Sequence, residues 1–472
     1  MRVLLINPHR KHSIKAEIPF WISESVGAFP PLGLMYIASY LRKHGNHTVA
    51  ILDSVAAKSD SREILKYIKK FDPGMVGLTT HTNALMDVIS LVRDIKRVYP
   101  HIHVSLGGAH ANIYPKESCE IQGVDTVVVG EGEKTFLNLV DTVQSHGDLS
   151  AVRGIRFIQN GQIFDTGPAE IVEDLDSLPF PARDLIDKEH YYYLVGKKAI
   201  ITTISSSRGC PYSCSFCSTP KEKYRVRSIG NVVDEMEECA RGGLQEVHFI
   251  DDTFNVERER TLSLCTEIMR RGLRLRWSVR TRINNLDREV IQHMKKSGCW
   301  RINLGVETST NEGLDILNKG ISVEEVKEKF QLCHDLGMKT VAYFLIGCPH
   351  EKNNSDIQRM IDFTKEIDAD FAVFSILTLY PFTPLYQEAL KKGLLKEDVW
   401  AKFVQNPRED FIAPIWNEHF SRDELSRLLN QAYRKFYLRG KVLLRNLKNT
   451  QNSKTVLRRL QSLFKVVFCS DA

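Results

Sequence analysis

Three cysteines, Cys210, Cys214 and Cys217, stand in a C-x3-C-x2-C spacing directly after a short apolar stretch. Thiolates this close together on one loop can hold a single inorganic cluster. A cubane iron–sulfur cluster usually takes four cysteine ligands, so three cysteines would leave one iron open to a ligand that is not protein. The alternatives are a structural zinc site or a redox thiol pair. Structural zinc takes four Cys or His ligands, and the other cysteines and histidines are scattered singly, which favours the cluster.

The composition is that of an ordinary globular protein. The 472 residues are 43% hydrophobic and 26% charged, enough for two or three domains. The N-terminus does not resemble a signal peptide, and no apolar run is long enough for a spanning helix. Ten cysteines without a secretory leader indicate thiols in a reducing compartment instead of a disulfide framework, so the expected location is the cytoplasm.

The positive charge is concentrated at the C-terminal end. Residues 421–472 contain 12 Lys and Arg against 3 Asp and Glu, whereas the rest of the chain contains 52 against 55. The main body is therefore slightly acidic, which argues against nucleic acid as its partner.

Short apolar segments alternate with helical stretches over the first part of the chain. Predicted buried strands cover 3–6, 48–52, 75–79, 103–106 and 126–129. The alternation predicts a doubly wound, Rossmann-like α/β domain over 1–148, with its ligand beyond the carboxyl ends of the strands. Glycines at two of these ends would let backbone approach a ligand closely, although turn glycines are the ordinary explanation.

The remainder divides into three further segments. Residues 149–194 are predicted as a hairpin and linker, because Asn160-Gly161 between two β-rich arms is a strong hairpin signal. The domain 195–415 has strands and helices at the spacing of a βα-barrel, and 416–472 is a basic helical region. Its predicted strands are 200–205, 246–250, 276–281, 301–306, 340–346 and 371–379.

The cysteine motif, with Pro211 after its first cysteine and Phe216 before its third, resembles the signature of the radical S-adenosylmethionine (SAM) enzymes. In that family SAM chelates the open iron of a [4Fe-4S] cluster and is cleaved to a 5′-deoxyadenosyl radical. The resemblance implies a partial (β/α)6 barrel. The segments 29–41, 106–110 and 129–136 resemble the cobalamin-binding domain that precedes the barrel in many of these enzymes.

The resemblance also implies a set of SAM-binding residues at the carboxyl ends of the barrel strands. This set comprises Phe216, Asp251, Asp252, Arg282, Glu307 and Gly347. Arg282, or Arg280 before it, would pair with the SAM carboxylate. Gly347 would admit the adenine.

The acidic members of this set have alternative or additional requirements. Asp251 and Asp252 could instead N-cap the next helix. A buried Glu307 needs a cationic or hydroxyl partner, because an unpaired buried carboxylate is costly. Phe382 departs from the family pattern, which usually has glycine at that position, and adds bulk near the substrate or the adenine.

For cobalamin, the resemblance implies contacts at the strand ends and at one helix start. The predicted residues are Pro30, Pro31, Gly33, Thr79, Thr80, Gly107, Gly108, His110, Gly130 and Glu131. The Asp-x-His-x-x-Gly motif that supplies the cobalt ligand in methionine-synthase-type domains is missing. We therefore expect cobalamin without its own base on cobalt and without His9, His12 or His110 as a ligand.

The reaction that these resemblances favour is methylation of an unactivated carbon or phosphorus centre. An oxidative cyclase or a ring-rearranging enzyme is the alternative, and an iron–sulfur or cobalamin sensor is an alternative of another class. The expected partners are a small-molecule or lipid-like substrate and a reductant of the flavodoxin or ferredoxin type.

The region 455–468 has apolar residues at helical spacing with basic residues between them. Such a helix either packs on the rest of the protein or attaches reversibly to an anionic membrane surface. In this protein that surface would be the inner membrane surface. The packing interpretation is the ordinary one for an amphipathic helix.

Overall fold

The computed structural model describes residues 1–14, 28–192, 200–219 and 222–442. These residues form two compact units. The first contains 1–14, 28–191 and 400–412, and the second contains the others. The sequence assigns 400–412 to the domain 195–415, but tertiary contacts group this segment with the first unit. Its aromatic side chains Trp400 and Phe403 are buried, an environment that sequence position alone does not specify.

The first unit is built on a seven-stranded sheet in the order β2-β1-β3-β4-β5-β6-β7. Its strands are β1 (Arg2–Asn7), β2 (Thr48–Asp53), β3 (Met75–Thr79), β4 (His103–Gly107), β5 (Thr126–Val128), β6 (Ile155–Gln159) and β7 (Gln162–Asp165). Its helices are Leu32–His44, Ser61–Phe71, Leu85–Val98, Ala109–Ile113, Pro115–Glu120 and Gly132–Gln144. Strands β1 to β5 are parallel, as predicted, because continuous apolar runs of this length are buried on both faces by helices.

The hairpin β6–β7 belongs to this sheet. Asn160 and Gly161 form its turn with φ of 53° and 76°, and β6 pairs antiparallel with β5. The sequence predicted this hairpin but grouped it with the linker in the segment 149–194, outside the first domain, since the turn signal is local. Its pairing with β5 is a tertiary contact that no local signal encodes.

The second unit contains a six-stranded parallel sheet in the order β15-β14-β13-β12-β11-β8, so the six predicted strands are confirmed. They are β8 (Ile201–Ile204), β11 (Glu246–Phe249), β12 (Arg276–Thr281), β13 (Cys299–Glu307), β14 (Lys339–Ile346) and β15 (Phe371–Ile376). A separate pair consists of β9 (Ser207–Arg208) and β10 (Arg225–Val226). The α-helices of this unit are Ile229–Arg241, Arg258–Arg270, Arg288–Lys296, Asn311–Ile316, Val323–Asp335, Asn354–Glu366, Pro384–Lys391 and Arg422–Tyr437. The helix Val399–Gln405 belongs, apart from its first residue, to the first unit.

Side chains alternate between an apolar and a polar face of this sheet. Phe249 and Trp277 meet edge to face in the apolar core, with ring centroids 5.7 Å apart. The alternating residues His248 and Ser278 are also buried, and His248 Nδ1 lies 3.0 Å from Ser278 Oγ. The sheet therefore has one face covered by helices and a second face lined with polar groups.

The helix Arg422–Tyr437 covers the open edge of β15. The Tyr433 hydroxyl donates to Phe374 O at 2.8 Å and accepts from Phe374 N at 3.1 Å. One turn later, the Tyr437 hydroxyl donates to Ala372 O at 2.8 Å. Two tyrosines thus saturate a strand edge that would otherwise be free to pair with another chain. This part of the basic C-terminal region packs on the barrel sheet, whereas 455–468 lies outside the described residues.

In the described parts of the chain, no helix combines the length and the apolar character needed to cross a bilayer.

We predict that Tyr433→Phe destabilises the protein by about 1–3 kcal/mol, because it leaves the buried N–H and C=O of Phe374 without their hydroxyl partner. Tyr437→Phe is the matched control and should cost less, since its contacts with Ala372 are partly exposed to water. Denaturant unfolding measures both. A Tyr433→Phe variant as stable as wild type would contradict the edge-capping role of Tyr433.

Candidate active site

The cysteine loop is fixed at its base by the β9–β10 pair, in which Arg208 lies opposite Arg225. Gly209 follows β9 with φ of +82°, and a Cβ at this position would lie 2.8 Å from the carbonyl oxygen of Lys223. Because the obstacle is backbone, glycine alone fits this turn, which comes directly before Cys210.

The loop cysteines differ from the other described cysteines in their exposure. Cys210 and Cys214 are half-buried and Cys217 is exposed, whereas the other six are buried. Burial raises the pKa of Cys265 and of Cys333 to about 12, which keeps these two thiols protonated and unreactive. Among the described cysteines, the accessible thiols are therefore those of the motif.

A turn distant in sequence supports the middle of the loop. Ser215 N donates to Leu317 O at 3.0 Å, and Asn318 Nδ2 donates to Ser213 O at 2.7 Å. On another side, Leu385 N donates to Ser215 O at 3.1 Å. These bonds fix the backbone between the first and third cysteines while leaving the sulfurs accessible.

Polar groups lie next to all three sulfurs, and Cys217 Sγ is 3.3 Å from the Thr219 hydroxyl. Thr253 Oγ1 is 3.6 Å from Cys210 Sγ, and Arg282 Nη1 donates to Cys214 Sγ at 3.2 Å. In the described chain, no three His, Cys, Asp or Glu side chains are gathered as the ligands of one metal ion. The fit to a multi-iron cluster rests on the donor set, which consists of three accessible thiols on one loop, with the Arg282 guanidinium donating to one of them.

Asp251 and Asp252, at the end of β11, have different environments. Asp251 is buried and accepts hydrogen bonds from Ser206 N at 3.0 Å and from the hydroxyls of Ser206 and Ser207. Burial raises its pKa, against the effect of these bonds. Asp252 is exposed, and desolvation followed by the charge of Asp251 raises its pKa. The N-capping interpretation is wrong, because the next helix has Glu257 as its N-cap.

Glu307 ends β13 and has the cationic partner that its burial requires. Lys319 Nζ lies 2.7 Å from Glu307 Oε1, and both residues are buried. Glu307 has φ of +70°, which is a strained conformation for a residue with a side chain. The Lys319 ammonium also lies 5.9 Å from the centroid of Phe216 in the cysteine loop. The expectation of a cation at Glu307 is confirmed, but sequence reasoning missed Lys319 because no local pattern links the two positions.

Gly347 follows β14 with φ of +79°, and a Cβ there would lie 2.8 Å from Leu425. The Glu351 carboxylate clamps this turn by accepting from Gly347 N at 2.6 Å and from Cys348 N at 2.8 Å. Its other oxygen is buried without a hydrogen-bond partner, and burial raises the pKa of Glu351 to about 7. Glu351 therefore shapes the position predicted to receive adenine.

In the first unit, two predicted cobalamin-binding strand ends, those of β3 and β4, lie side by side. Thr80 N donates to Gly107 O at 2.7 Å, and His110 N donates to Thr80 O at 3.0 Å. Gly108 has φ of +96°, and a Cβ there would lie 3.0 Å from Thr79 Oγ1. Thr80 Oγ1 and His110 Nε2 are buried without a hydrogen-bond partner. A close backbone surface with unsatisfied polar atoms fits the tail of a bound cofactor.

The other predicted positions flank this surface. Gly130 N donates to Asn112 Oδ1 at 2.8 Å, and Glu131 accepts from Val172 N at 2.7 Å. Pro30, Pro31 and Gly33 lie at the beginning of the helix Leu32–His44, where Gly33 is exposed with open space beside its Cα.

Two histidines near β1 contact one buried carboxylate. His12 Nδ1 lies 3.0 Å and His9 Nδ1 lies 3.2 Å from Asp87 Oδ1. Burial tends to raise the pKa of Asp87, but hydrogen bonds from His9 and His12 outweigh it and lower that pKa. Burial, assisted by the charge of His81, lowers the pKa of His110 to about 4, so His110 is neutral at physiological pH. His9 and His12 thus have a structural partner other than a metal.

Comparison with known proteins identifies the class. Residues 204–364 match the radical SAM superfamily, and residues 20–140 match the B12 binding domain. The chain is 32% identical over 453 residues to an uncharacterized methyltransferase of Pyrococcus horikoshii, covering 95% of each chain. It belongs to the radical SAM enzymes that carry an N-terminal B12-binding domain. The predicted cofactors, a [4Fe-4S] cluster, SAM and cobalamin, are confirmed as those of these two domains.

Further relatives agree in sequence and in fold. An anaerobic magnesium-protoporphyrin IX monomethyl ester cyclase of Rubrivivax gelatinosus is 30% identical over 451 residues, which cover 93% of this chain and 78% of the cyclase. The cobalamin-dependent SAM radical enzyme OxsB, solved with aqua-cobalamin and SAM, gives a TM-score of 0.73 at 17% identity, covering 99% of this chain and 71% of that chain. The methyltransferase TsrM of Kitasatospora setae gives 0.69 at 24% identity, covering 83% and 76%. The two solved structures show that the fold is shared.

We predict that Gly209→Ala abolishes most of the iron uptake on anaerobic reconstitution, because the added methyl group collides with the backbone at Lys223. Gly161→Ala is the control. Gly161 also has positive φ, +76°, but has open space around it. Iron content per chain measures the effect. Equal iron uptake by the two variants would show that steric fit at Gly209 does not matter.

We predict that Glu351 makes stability depend on pH. Burial raises the pKa of Glu351 from an ordinary 4.5 to about 7. Between pH 4.5 and pH 7, the folded protein therefore binds a proton on Glu351 that the unfolded chain does not bind. The contribution of Glu351 is fully present below about pH 4.5 and is lost as pH rises through about 7, a change of about 3 kcal/mol. Glu351→Gln should remove this dependence in denaturant unfolding at several pH values. A variant with the wild-type pH profile would contradict the assignment.

Proposed function

We propose that this protein is a cobalamin-dependent methyltransferase that methylates an unactivated carbon or phosphorus centre. The observation that carries the proposal is the presence, in one chain, of a B12-binding unit and a barrel unit in which the accessible thiols, among the described cysteines, are those of the C-x3-C-x2-C loop. The Pyrococcus horikoshii relative, a methyltransferase by name, supports the reaction type.

When bound, the cluster supplies the electron that cleaves SAM to a 5′-deoxyadenosyl radical, and cobalamin supplies the transferred methyl group. Cys210, Cys214 and Cys217 are the proposed cluster ligands. Asp252 and Glu307 are proposed to bind polar groups of SAM, and this role is supported by the exposure of Asp252 and by the fixed orientation of Glu307 against Lys319.

Further SAM contacts are proposed at the loop and at the turn after β14. Phe216 offers an aromatic face for the adenine, and Gly347 offers a backbone without a side chain. Asp251 contributes through its hydrogen bonds to Ser206 and Ser207, which fix the chain just before the cysteine loop. Its backbone is proposed to face SAM while its side chain remains structural.

For cobalamin we propose the strand-end surface of the first unit. The proposed residues are Pro30, Pro31, Gly33, Thr79, Thr80, Gly107, Gly108, His110, Gly130 and Glu131. Among them, Thr80 and His110 hold buried polar atoms without partners, and Gly108 lets the chain after β4 pack closely against Thr79 and Thr80. His9 and His12 are engaged with Asp87, which supports binding without a histidine on cobalt.

The substrate is proposed to be a small molecule with apolar surface, such as a lipid or a macrocycle. Large hydrophobic side chains are exposed after two barrel strands, namely Ile250 (38% exposed), Tyr380 (42%) and Phe382 (64%). Phe382 also has φ of +63°, and an exposed aromatic residue held in a strained conformation is typical of a functional position.

Replacement of Cys214 tests the proposed function. After anaerobic reconstitution and reduction with dithionite, Cys214→Ala should form no 5′-deoxyadenosine from SAM, whereas wild type should form it. Cys333→Ala is the control and should retain SAM cleavage, because Cys333 is a buried packing residue. SAM cleavage by Cys214→Ala would refute the cluster assignment.

An oxidative cyclisation is the second candidate function, favoured by the 30% identity to the Rubrivivax gelatinosus cyclase. SAM carrying a deuterated methyl group distinguishes the two. A methyltransferase transfers the labelled methyl group to its product. A cyclase forms 5′-deoxyadenosine and a product that carries no label. The sensor alternative lacks support, because the chain belongs to an enzyme family.

Two partners extend the proposal. The first is a flavodoxin- or ferredoxin-type reductant, which the one-electron chemistry requires. The second is the inner membrane surface, to which the basic segment 455–468 would attach a cytoplasmic enzyme peripherally. Pelleting with anionic vesicles tests this contact, since a chain ending near Arg439 should lose vesicle binding. Absence of binding by the intact protein at low salt would refute it.

A further inference from the structure

Arg282, directly after β12, is directed at the cysteine loop. It is 6% exposed, and its Nη1 donates to Cys214 Sγ at 3.2 Å. The guanidinium carbon lies 4.0 Å from the ring centroid of Tyr212, a residue of the same loop. Arg282 thus contacts both a cysteine of the motif and the aromatic residue two positions before it.

The orientation of this guanidinium is fixed from further directions. Its Nε donates to Asn284 Oδ1 at 3.0 Å, and the backbone carbonyl of Arg282 accepts from Asn255 Nδ2 at 3.3 Å. The guanidinium contacts the Cys214 sulfur, the Tyr212 ring and the Asn284 side-chain oxygen. Of these three groups, the sulfur acquires a negative charge when Cys214 becomes a thiolate. The geometry therefore pairs a permanent positive charge with one cluster ligand.

Such a pair changes the energy of electron uptake. Reduction adds one negative charge to a cluster, and a nearby buried positive charge stabilises the reduced state more than the oxidised state. A hydrogen bond to a ligand sulfur acts in the same direction, and both are recognised determinants of iron–sulfur potentials. Loss of the Arg282 charge should therefore make the cluster harder to reduce.

We propose that Arg282 is a positioning residue of the cluster, which orients the Cys214 thiolate and raises the cluster's reduction potential, and that it does not bind the SAM carboxylate. The proposal rests on the proposed function, because it requires a cluster ligated by Cys214. It differs from the role that sequence resemblance implied for Arg282. It leaves Arg280, exposed on the same strand, as the available guanidinium for SAM.

Two measurements on the reconstituted full-length protein test the proposal. The first is a redox titration monitored by EPR, and the second is the dissociation constant for SAM. Arg282→Gln should lower the equilibrium constant of one-electron reduction at least tenfold, equivalent to about 59 mV. Its affinity for SAM should stay within twofold of wild type. Arg280→Gln is the contrasting variant, since it removes the same charge from an exposed position. Its potential, measured without SAM, should stay within threefold of wild type, whereas its affinity for SAM should fall.

An unchanged potential in Arg282→Gln, or a tenfold loss of SAM affinity with the potential retained, would overturn the proposal. If Arg282→Gln does not hold iron, Arg282→Lys decides the matter. The lysine ammonium keeps the positive charge but is not a planar guanidinium, so it cannot donate to the sulfur while stacking on Tyr212. The equilibrium constant of cluster reduction should therefore fall at least threefold in this variant. An unchanged potential in Arg282→Lys would then refute the role. A wild-type protein that takes up no iron would refute the proposed function itself.

Discussion

The barrel unit depends on hydrogen bonds to the backbone of the cysteine loop, because the sulfur atoms of that loop cannot be buried against other side chains. Thiols that bind a cluster must stay accessible, so side-chain burial is not available to fix them. The backbone is fixed instead, by Asn318 and Leu317 on one side and by Leu385 on another. Gly209 adds a turn that no other residue can make without displacing the chain at Lys223. The reactive geometry is thus set by neighbours that carry no chemistry of their own.

Charged groups buried at the strand ends form the second constraint. Glu307 and Lys319, Asp251 with its serine donors, and Arg282 against Cys214 all lie near this loop. Removing a charge from water costs free energy, which a well-placed partner offsets only in part. Such charges are consequently rare in a core chosen for stability and concentrate where binding or electron transfer needs them.

The first unit shows the same separation between support and site. Continuous apolar strands build the parallel sheet, and the groups left at its carboxyl ends are short, polar or glycine. His9 and His12 share the buried Asp87, and this contact explains how histidines can stand near the strand ends without serving a metal. Thr80 and His110 retain buried polar atoms without partners, in keeping with a surface that a ligand completes.

The sequence by itself determined the strands of both sheets, the parallel pairing, the cysteine loop and the family, because periodicity and motif spacing are local properties of the chain. It also indicated that a buried Glu307 needs a cationic or hydroxyl partner. Tertiary structure alone decided that the cation is Lys319, that the hairpin β6–β7 joins the first sheet, and that 400–412 belongs to the first unit. It likewise decided that Arg282 donates to the sulfur of Cys214 and that the Asp251 side chain accepts hydrogen bonds from Ser206 and Ser207. The physical reason is that a hydrogen bond or ion pair selects its partner by distance in space, and residues far apart along the chain acquire that distance only when the strands between them have assembled.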